Sequence, residues 1–168
     1  ENVEIAANTV SDEETGVGGG LYIEVLENQD IATLNNVNIH NNQAAKGGGM
    51  YVQNSNVNIS LSAFYSNISY TDGGGLHFHN SIGQITKTSI MNNNASTRGG
   101  GIYSSTSSIH LDRVNLYNNT ALDVGGGLAM IHSSSPTIVN SIFYENKKSD
   151  NELNQIFTEL GDDSELSI

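Results

Sequence analysis

Four charged or titratable side chains in the middle of the chain form the best grouping for acid–base chemistry. His110 and Asp112 are two residues apart, so a β-strand would point both to the same face, and Arg113 follows directly. Lys87 precedes Arg113 by 26 residues. A polysaccharide lyase needs a base beside a uronate carboxylate and cations that neutralise that carboxylate. These four residues therefore form one candidate catalytic site.

The same grouping has a simpler interpretation as an exposed polar patch. A glycoside hydrolase would need two or three carboxylates in neighbouring repeats. The positions 26 residues before and after Asp112 hold Thr86 and Ile138, and neither is acidic. We therefore expect no catalytic residue, and we keep a polysaccharide lyase or glycoside hydrolase as the alternative function.

Metal ligation is weakly supported by the residue types. His77 and His79 would share one strand face, but two imidazoles without a third ligand make a poor site. The acidic groups at 12–14 and 162–163 do not follow a recognisable calcium-loop pattern. The chain has no Cys, which excludes thiolate ligands and disulfides. We predict no metal and no cofactor.

Aromatic residues suggest binding more strongly than the charged residues suggest catalysis. Six of the seven tyrosines fall into two sets that recur with the repeat of the sequence. The first set is Tyr22, Tyr51, His77, Tyr103 and Ala129, and the second is His40, Tyr65, Met91, Tyr117 and Tyr144. If both sets point outward, each forms a strip of rings that can stack on sugars or on a protein. The competing interpretation is that stacked rings only stabilise neighbouring strands.

The elements that would position these side chains are set by a repeated glycine triplet. A GGG sequence followed by an apolar residue begins at positions 18, 47, 73, 99 and 125, so the spacings are 29, 26, 26 and 26 residues. A constant period of this length indicates one structural unit that stacks on copies of itself. Three consecutive glycines are unfavourable in a helix but permit a tight bend, so each triplet predicts a corner.

Each repeat contains three short runs of alternating apolar and polar residues, which is the pattern of β-strands. Three strands and three bends in about 26 residues predict one rung of a right-handed parallel β-helix, because crossovers between parallel strands are nearly always right-handed. We predict an all-β solenoid in a single domain, 1–168. It would have about five complete rungs, at 18–46, 47–72, 73–98, 99–124 and 125–154, with partial rungs at both ends.

Two kinds of side chain should lie inside this coil. The first strand should point pairs such as Leu21 and Ile23 inward, and the equivalent pairs are Met50/Val52, Leu76/Phe78 and Leu128/Met130. An apolar residue on each of the other two strands should do the same, in the columns that begin at Leu34 and Ile39. A recurring asparagine predicts a hydrogen-bonded ladder at one bend, formed by Asn42, Asn67, Asn93, Asn119 and Asn146.

The motifs also resemble a known family. The sequences GGGL, GGGM and GGGI, together with FYSN at 64–67 and FYEN at 143–146, resemble the GGA[ILV] and FxxN repeats of the chlamydial polymorphic outer-membrane proteins. They are similar, more widely, to secreted bacterial right-handed β-helix repeats. The resemblance covers roughly 18–146 and departs in having Gly where that family usually has Ala. The resemblance implies the fold. It implies the function only weakly, because adhesins, polysaccharide lyases and hydrolases all share this fold.

The charge of the chain limits the kinds of molecule that it could bind. The net charge is −12, with eight acidic residues in 1–30 and seven in 145–168. Six Lys and Arg residues are too few for a phosphate-binding patch, so we predict no nucleic acid partner. The chain has no apolar run long enough to cross a membrane, so we predict no membrane insertion by this segment.

These observations favour a secreted or cell-surface module cut from a larger protein. We expect a non-enzymatic adhesin or spacer that binds a glycan or protein on a strand face, with neighbouring rungs or domains of the longer chain as further partners. The alternative is a fragment of a lyase or hydrolase of the pectate-lyase-like (pectin lyase-like) fold that acts through His110, Asp112, Arg113 and Lys87.

Overall fold

The chain forms a parallel β-solenoid. The computed structural model describes residues 2–24, 31–132, 134 and 136–159. Within these ranges there are twenty-two short strands and no helix, and the strands pair in parallel in four sheets. Each strand pairs with its equivalents in the rungs above and below, so the predicted parallel β-helix is confirmed.

The sheets are numbered in the order in which one rung visits them. The first sheet contains Leu21–Glu24, Met50–Gln53, Leu76–His79, Ile102–Ser105, Leu128–Ile131 and Ile156–Glu159. The second sheet contains Ile31–Asn35, Asn56–Ser60, Ile82–Thr86, Ser108–Asp112 and Thr137–Val139. The third sheet contains Val3–Ala6, Val37–His40, Ala63–Tyr65, Ser89–Met91, Asn115–Tyr117 and Ile142–Tyr144.

The fourth sheet corrects the prediction of three strands per rung. It contains the two-residue strands Gln43–Ala44, Ile68–Ser69, Asn94–Ala95, Thr120–Ala121 and Lys147–Lys148. Each of these strands follows the ladder asparagine, where a bend was expected. Ala44, Ser69, Ala95 and Ala121 are buried there, and their small side chains let the backbone lie extended and pair before the next glycine corner.

The core lies inside the coil, as the alternation predicts. All four predicted pairs of the first strand belong to or pack against one apolar cluster, and so do the predicted residues of the second and third strands. The inward-facing residues of the third sheet are one example, since Ile39, Phe64, Ile90 and Leu116 are fully buried. Burying an apolar side chain of this size contributes about 1.5–3 kcal/mol, which explains how the chain can form a core without disulfides.

The glycine corners are required by close backbone approach. Gly47 and its four equivalents adopt positive φ angles of 61–72°, which glycine populates most readily. A Cβ on Gly48 would lie 2.3 Å from the carbonyl oxygen of Ile68, in the neighbouring rung. No side chain fits at that distance, so the triplet packs backbone on backbone.

The asparagine ladder is confirmed as a structural element. The Asn67 backbone nitrogen and side-chain Nδ2 both donate to Asn93 Oδ1 at 3.0 Å, and the same Nδ2 donates to the Ile39 carbonyl at 3.0 Å. The same pattern recurs at the other ladder positions, and Gln155 Oε1 accepts from Asn146 Nδ2 at 2.6 Å at the last rung. The ladder amides are buried and satisfied, which leaves them unavailable for catalysis.

The remaining corners are single residues in the left-handed region. Among the residues that the structure describes, sixteen other than glycine have positive φ, and eight of these sixteen are asparagines. Asparagine tolerates this conformation better than most residues. One of these corners follows the third sheet and consists of Ala7, Asn41, Ser66, Asn92, Asn118 and Glu145, and these residues are called the third-sheet corner below.

Candidate functional site

One of the two aromatic sets is buried. The first-sheet column consists of Tyr22, Tyr51, His77, Tyr103 and Ala129, which are in register and point away from the central core. Tyr51, His77 and Tyr103 are nevertheless only 6%, 4% and 4% exposed. Their rings contact each other, with centroids 4.6 Å apart for Tyr51 and His77 and 4.5 Å apart for His77 and Tyr103.

The glycine corners cover this column. A Cβ on Gly47 would lie 2.9 Å from Tyr51 Cβ, and a Cβ on Gly73 would lie 2.8 Å from His77 Cβ. The corner backbone therefore packs against the base of each of these outward side chains. Asp72 and Arg98, which stand just before two of the triplets, add to this cover.

An ion pair closes the cover over Tyr103. Arg98 donates to both carboxylate oxygens of Asp72, at 3.0 and 2.9 Å, and its guanidinium carbon lies 5.0 Å from the Tyr103 ring centroid. This distance is within the range of cation–π contacts. The hydrogen bond to Asp72 raises the pKa of Arg98. The pair links two rungs and covers the Tyr103 ring.

Burial also sets the protonation of the column. Burial lowers the pKa of His77 to about 3, although its Nδ1 hydrogen bond to the Asp72 carbonyl, at 3.3 Å, opposes the shift. Burial raises the pKa of Tyr103 to about 12. His77 is therefore neutral near pH 7 and replaces a tyrosine in the stack.

The prediction of an exposed first-sheet strip is thus wrong at Tyr51, His77 and Tyr103. Tyr22 differs, since it is 42% exposed at the end of the column. Its hydroxyl donates to Glu24 at 2.6 Å, and this hydrogen bond raises its pKa to about 12.

The other aromatic set faces solvent. The third-sheet column consists of His40, Tyr65, Met91, Tyr117 and Tyr144, and these five residues are in register across five rungs. His40 and Tyr65 stack with centroids 4.4 Å apart and planes 8° apart, and both are half-buried. Exposure increases along the column to 37% at Tyr117 and 59% at Tyr144. The Tyr117 hydroxyl contacts the Met91 sulfur, which continues the contacts.

The surroundings of the third-sheet column are polar and mostly uncharged. A second outward column beside it consists of Asn38, Ala63, Ser89, Asn115 and Ile142. The third-sheet corner lies on the other side. Carboxylates stand near the two ends, where Glu4 Oε1 lies 2.7 Å from His40 Nε2 and a hydrogen bond to Glu145 raises the pKa of Tyr144.

The candidate catalytic residues lie on the outer face of the second sheet or at its corner. Asp112 accepts hydrogen bonds from Arg113 at 2.5 Å and from Asn140 at 3.0 Å. Its register partners are Thr86 and Val139. Val139, and not Ile138, occupies this position because one additional residue precedes it in the last repeat. No second carboxylate is in register with Asp112, so the pairing that a hydrolase requires is not assembled there.

The possible metal ligands are not brought together either. His77 is buried in the ring stack, while His79 is exposed at the end of its strand. The Asp12 carboxylate accepts from the backbone nitrogens of Glu14 and Thr15, at 3.0 and 2.9 Å. The residues at 162–163 lie outside the described part of the chain. Across residues 2–24, 31–132, 134 and 136–159, no cluster of three or more His, Asp or Glu residues could hold a metal ion.

A groove of about 340 Å³ lies beside the fourth sheet, where the turn at 148–151 projects from the coil. Leu122 and Lys148 line it together with small polar residues. Lys148 Nζ already pairs with Glu152 Oε2 at 2.7 Å. The groove contains no aromatic residue, so it offers fewer contacts to a ligand than the third-sheet column does.

Sequence comparison agrees with the observed architecture. Residues 19–157 match the family model described as "Right handed beta helix region", which also supports the predicted handedness. No curated protein and no solved structure matches the chain significantly. In the described ranges, no helix has the length and hydropathy that crossing a membrane requires.

Proposed function

This chain belongs to the right-handed β-helix family, and from that premise we propose that it is a non-enzymatic module that binds an extended glycan or protein ligand. The ligand lies along the outer face of the third sheet. We place the module in the extracellular space or on the cell surface, where it also acts as a rigid spacer.

The exposure of the third-sheet column is the observation that carries this proposal. Its outer rings stand 37% and 59% exposed at Tyr117 and Tyr144. Rungs of a parallel sheet are about 4.8 Å apart, so side chains in register present a regular row of contacts along the solenoid axis. Rings that are packed on one face and open on the other suit stacking against sugars or apolar side chains.

The rest of the surface agrees with a binding role. Asp112 is already held by Arg113 and Asn140, and His110 makes no side-chain hydrogen bond to any described residue. The absence of cysteine in the chain means that its fold does not depend on redox conditions. The resemblance to chlamydial surface-protein repeats is an additional argument for a location outside the cell.

The proposal is tested by array binding with matched tyrosine variants. Wild-type protein is applied to an array of polysaccharides and extracellular-matrix proteins, and the ligands retained are tested again with Tyr117→Ala/Tyr144→Ala and with Tyr22→Ala. Two stacking contacts of about 1 kcal/mol each correspond to a loss of roughly 10- to 30-fold in affinity. Tyr22→Ala should bind like wild type, because Tyr22 is an exposed tyrosine on a different sheet.

Two outcomes would contradict the proposal. Equal binding by both tyrosine variants would place the site elsewhere on the molecule. Cleavage of a polysaccharide that disappears with His110→Ala would show that the chain is an enzyme and would favour the lyase or hydrolase alternative.

A further inference from the structure

The chemistry of the third-sheet face points to a specific class of ligand. We infer that the ligand is an uncharged, linear polysaccharide, and that Asn92 and Asn118 select it by hydrogen bonding to its hydroxyl groups. This inference rests on the proposed function, because it names the substrate class of the same face.

The distribution of charge around the rings favours an uncharged ligand. Glu4 is in register with Asn38 and extends the second outward column by one rung. Among the described residues of the two outward columns and the third-sheet corner, the only side chains with a fixed charge at neutral pH are the carboxylates of Glu4 and Glu145. Glu4 lies at one end of the column, against His40, and Glu145 follows Tyr144 at the other. An anionic chain laid along this face would meet like charge at both ends.

The basic residues nearest the third-sheet column lie outside the third sheet, on both of its sides. Lys147 follows Tyr144 by three residues and belongs to the fourth sheet. Lys87 and Arg113 occupy the corner before the third-sheet strands, four residues ahead of Met91 and Tyr117. At about 3.3 Å per residue, four residues correspond to roughly 13 Å of backbone. Arg113 is moreover paired with Asp112 at 2.5 Å. The cations are therefore displaced from the rings, and one of them is already neutralised.

A pair of exposed side-chain amides beside the rings favours a ligand that carries hydroxyl groups. Asn92 and Asn118 directly follow Met91 and Tyr117, and Asn118 Nδ2 donates to Asn92 Oδ1 at 2.6 Å. Within the described part of the chain, the Asn92 side-chain Nδ2 and the Asn118 side-chain Oδ1 have no hydrogen-bond partner. One free donor and one free acceptor thus lie next to the exposed rings.

This donor and acceptor distinguish hydroxyl groups from carboxylates. A sugar hydroxyl both donates and accepts, so neighbouring hydroxyls can satisfy Asn92 Nδ2 and Asn118 Oδ1 together. An ionised carboxylate only accepts, so it would leave Asn118 Oδ1 without a donor. Leaving a polar atom unpaired at a ligand site is costly, and such sites discriminate strongly between ligands.

The experiment is affinity gel electrophoresis with polysaccharides of both classes. Hydroxyethyl cellulose, xyloglucan and galactomannan serve as uncharged probes, and polygalacturonate and alginate serve as anionic probes. We expect at least one uncharged probe to retard the wild-type protein, to an extent that does not change between low and high salt because no ion pair is involved. The anionic probes should not retard it.

A matched pair of variants tests the amides. Asn92→Gly/Asn118→Gly removes them, and Asn54→Gly/Asn80→Gly removes an equivalent exposed pair, in which Asn80 Nδ2 donates to Asn54 Oδ1 at 2.8 Å, at a corner far from the third-sheet column. All four positions have φ of 48–54°, so glycine fits each of them. The first variant should bind roughly 10-fold or more weakly, which corresponds to two lost hydrogen bonds, and the second should bind like wild type.

The outcomes separate this inference from the proposed function. Retardation only by the anionic probes, lost in Lys87→Gln or at high salt, would overturn the inference while leaving a binding face in place. Absence of retardation by every uncharged probe, or equal binding by the two asparagine variants, would also overturn it. If uncharged probes bind but Tyr117→Ala/Tyr144→Ala has no effect, the proposed function itself fails.

Discussion

The two aromatic columns use the same residue types with the same period, but they have opposite surroundings. In the first-sheet column, Tyr103 is 4% exposed and packs beneath an ion pair, whereas Tyr144 of the third-sheet column is 59% exposed. Both columns point away from the central core. The outward direction of a side chain in a solenoid therefore does not establish that it is accessible.

The corners next to each sheet explain the difference. The first sheet directly follows the glycine triplet, whose backbone packs closely against the base of each outward side chain because glycine has no Cβ to hold it away. The third sheet lies between corners of single left-handed residues, which turn the chain without covering the sheet. We conclude that the first-sheet column is scaffold and that the third-sheet column is free to bind.

The largest expected effect is on stability. Tyr103→Ala should lower the free energy of unfolding by about 3–5 kcal/mol, as buried aromatic-to-alanine substitutions do. Tyr144→Ala should change it by less than about 0.5 kcal/mol, because an exposed ring contributes little. Urea denaturation followed by circular dichroism measures both values. Similar losses for the two variants would contradict the distinction between the columns.

A smaller effect is expected from the ion pair that covers the scaffold column. Arg98→Ala leaves the Asp72 carboxylate buried without its partner, and the loss should be about 1–3 kcal/mol. The matched control is Arg113→Ala, since Arg113 pairs with Asp112 at the surface, with 56% of its side chain exposed. The control should lose about 0–1 kcal/mol. An Arg98 variant as stable as the control would show that the cover is not needed.

The smallest of these effects, when measured between pH 6 and pH 5, is the pH dependence caused by His77. Its pKa is lowered to about 3 in the folded chain, against about 6.5 when unfolded. Between these values only the unfolded state binds the proton, so stability decreases as pH falls from 6.5 towards 3. Below pH 6 the slope from this one group should approach about 1.4 kcal/mol per pH unit.

A substitution by tyrosine isolates that contribution. His77→Tyr restores the residue type of the adjacent rungs and removes the titrating group, so the fall in stability between pH 6 and pH 5 should be about 1 kcal/mol smaller than in wild type. Unfolding at the two pH values, with His110→Gln as the control for an outward histidine on another sheet, provides the comparison. Identical pH profiles for wild type and His77→Tyr would show that His77 is not buried in the neutral form.

Much of the scaffold could be predicted because the repeat is read directly from the residues. The spacing of the glycine triplets predicted the length of one rung, and the alternation of apolar and polar residues predicted which side chains point into the core. The recurrence of asparagine at one position of the repeat predicted the ladder through Asn67 and Asn93. Each of these features depends on contacts between equivalent residues in neighbouring rungs. A one-dimensional period is sufficient to infer such contacts.

The fourth sheet and the buried column were not predictable in the same way. Two-residue strands such as Asn94–Ala95 are too short to show alternation, and only the small residue two positions after most of the ladder asparagines hints at them. The burial of Tyr51 and His77 depends on how a corner folds over its own rung. One feature of the sequence does indicate the ion pair that covers Tyr103. Asp72 stands just before a glycine triplet and one repeat before Arg98, which is the spacing expected of an ion pair between neighbouring rungs.

Residue-by-residue nitration of the tyrosines tests the distinction between scaffold and binding face most directly. Brief treatment of the folded protein with tetranitromethane, followed by peptide mapping, should modify Tyr117 and Tyr144 and spare Tyr51 and Tyr103. Addition of an uncharged polysaccharide that retards the protein should then protect Tyr117 and Tyr144 alone. Modification of Tyr51 and Tyr103 at the rate of Tyr144, or polysaccharide protection that omits the third-sheet column, would contradict the account.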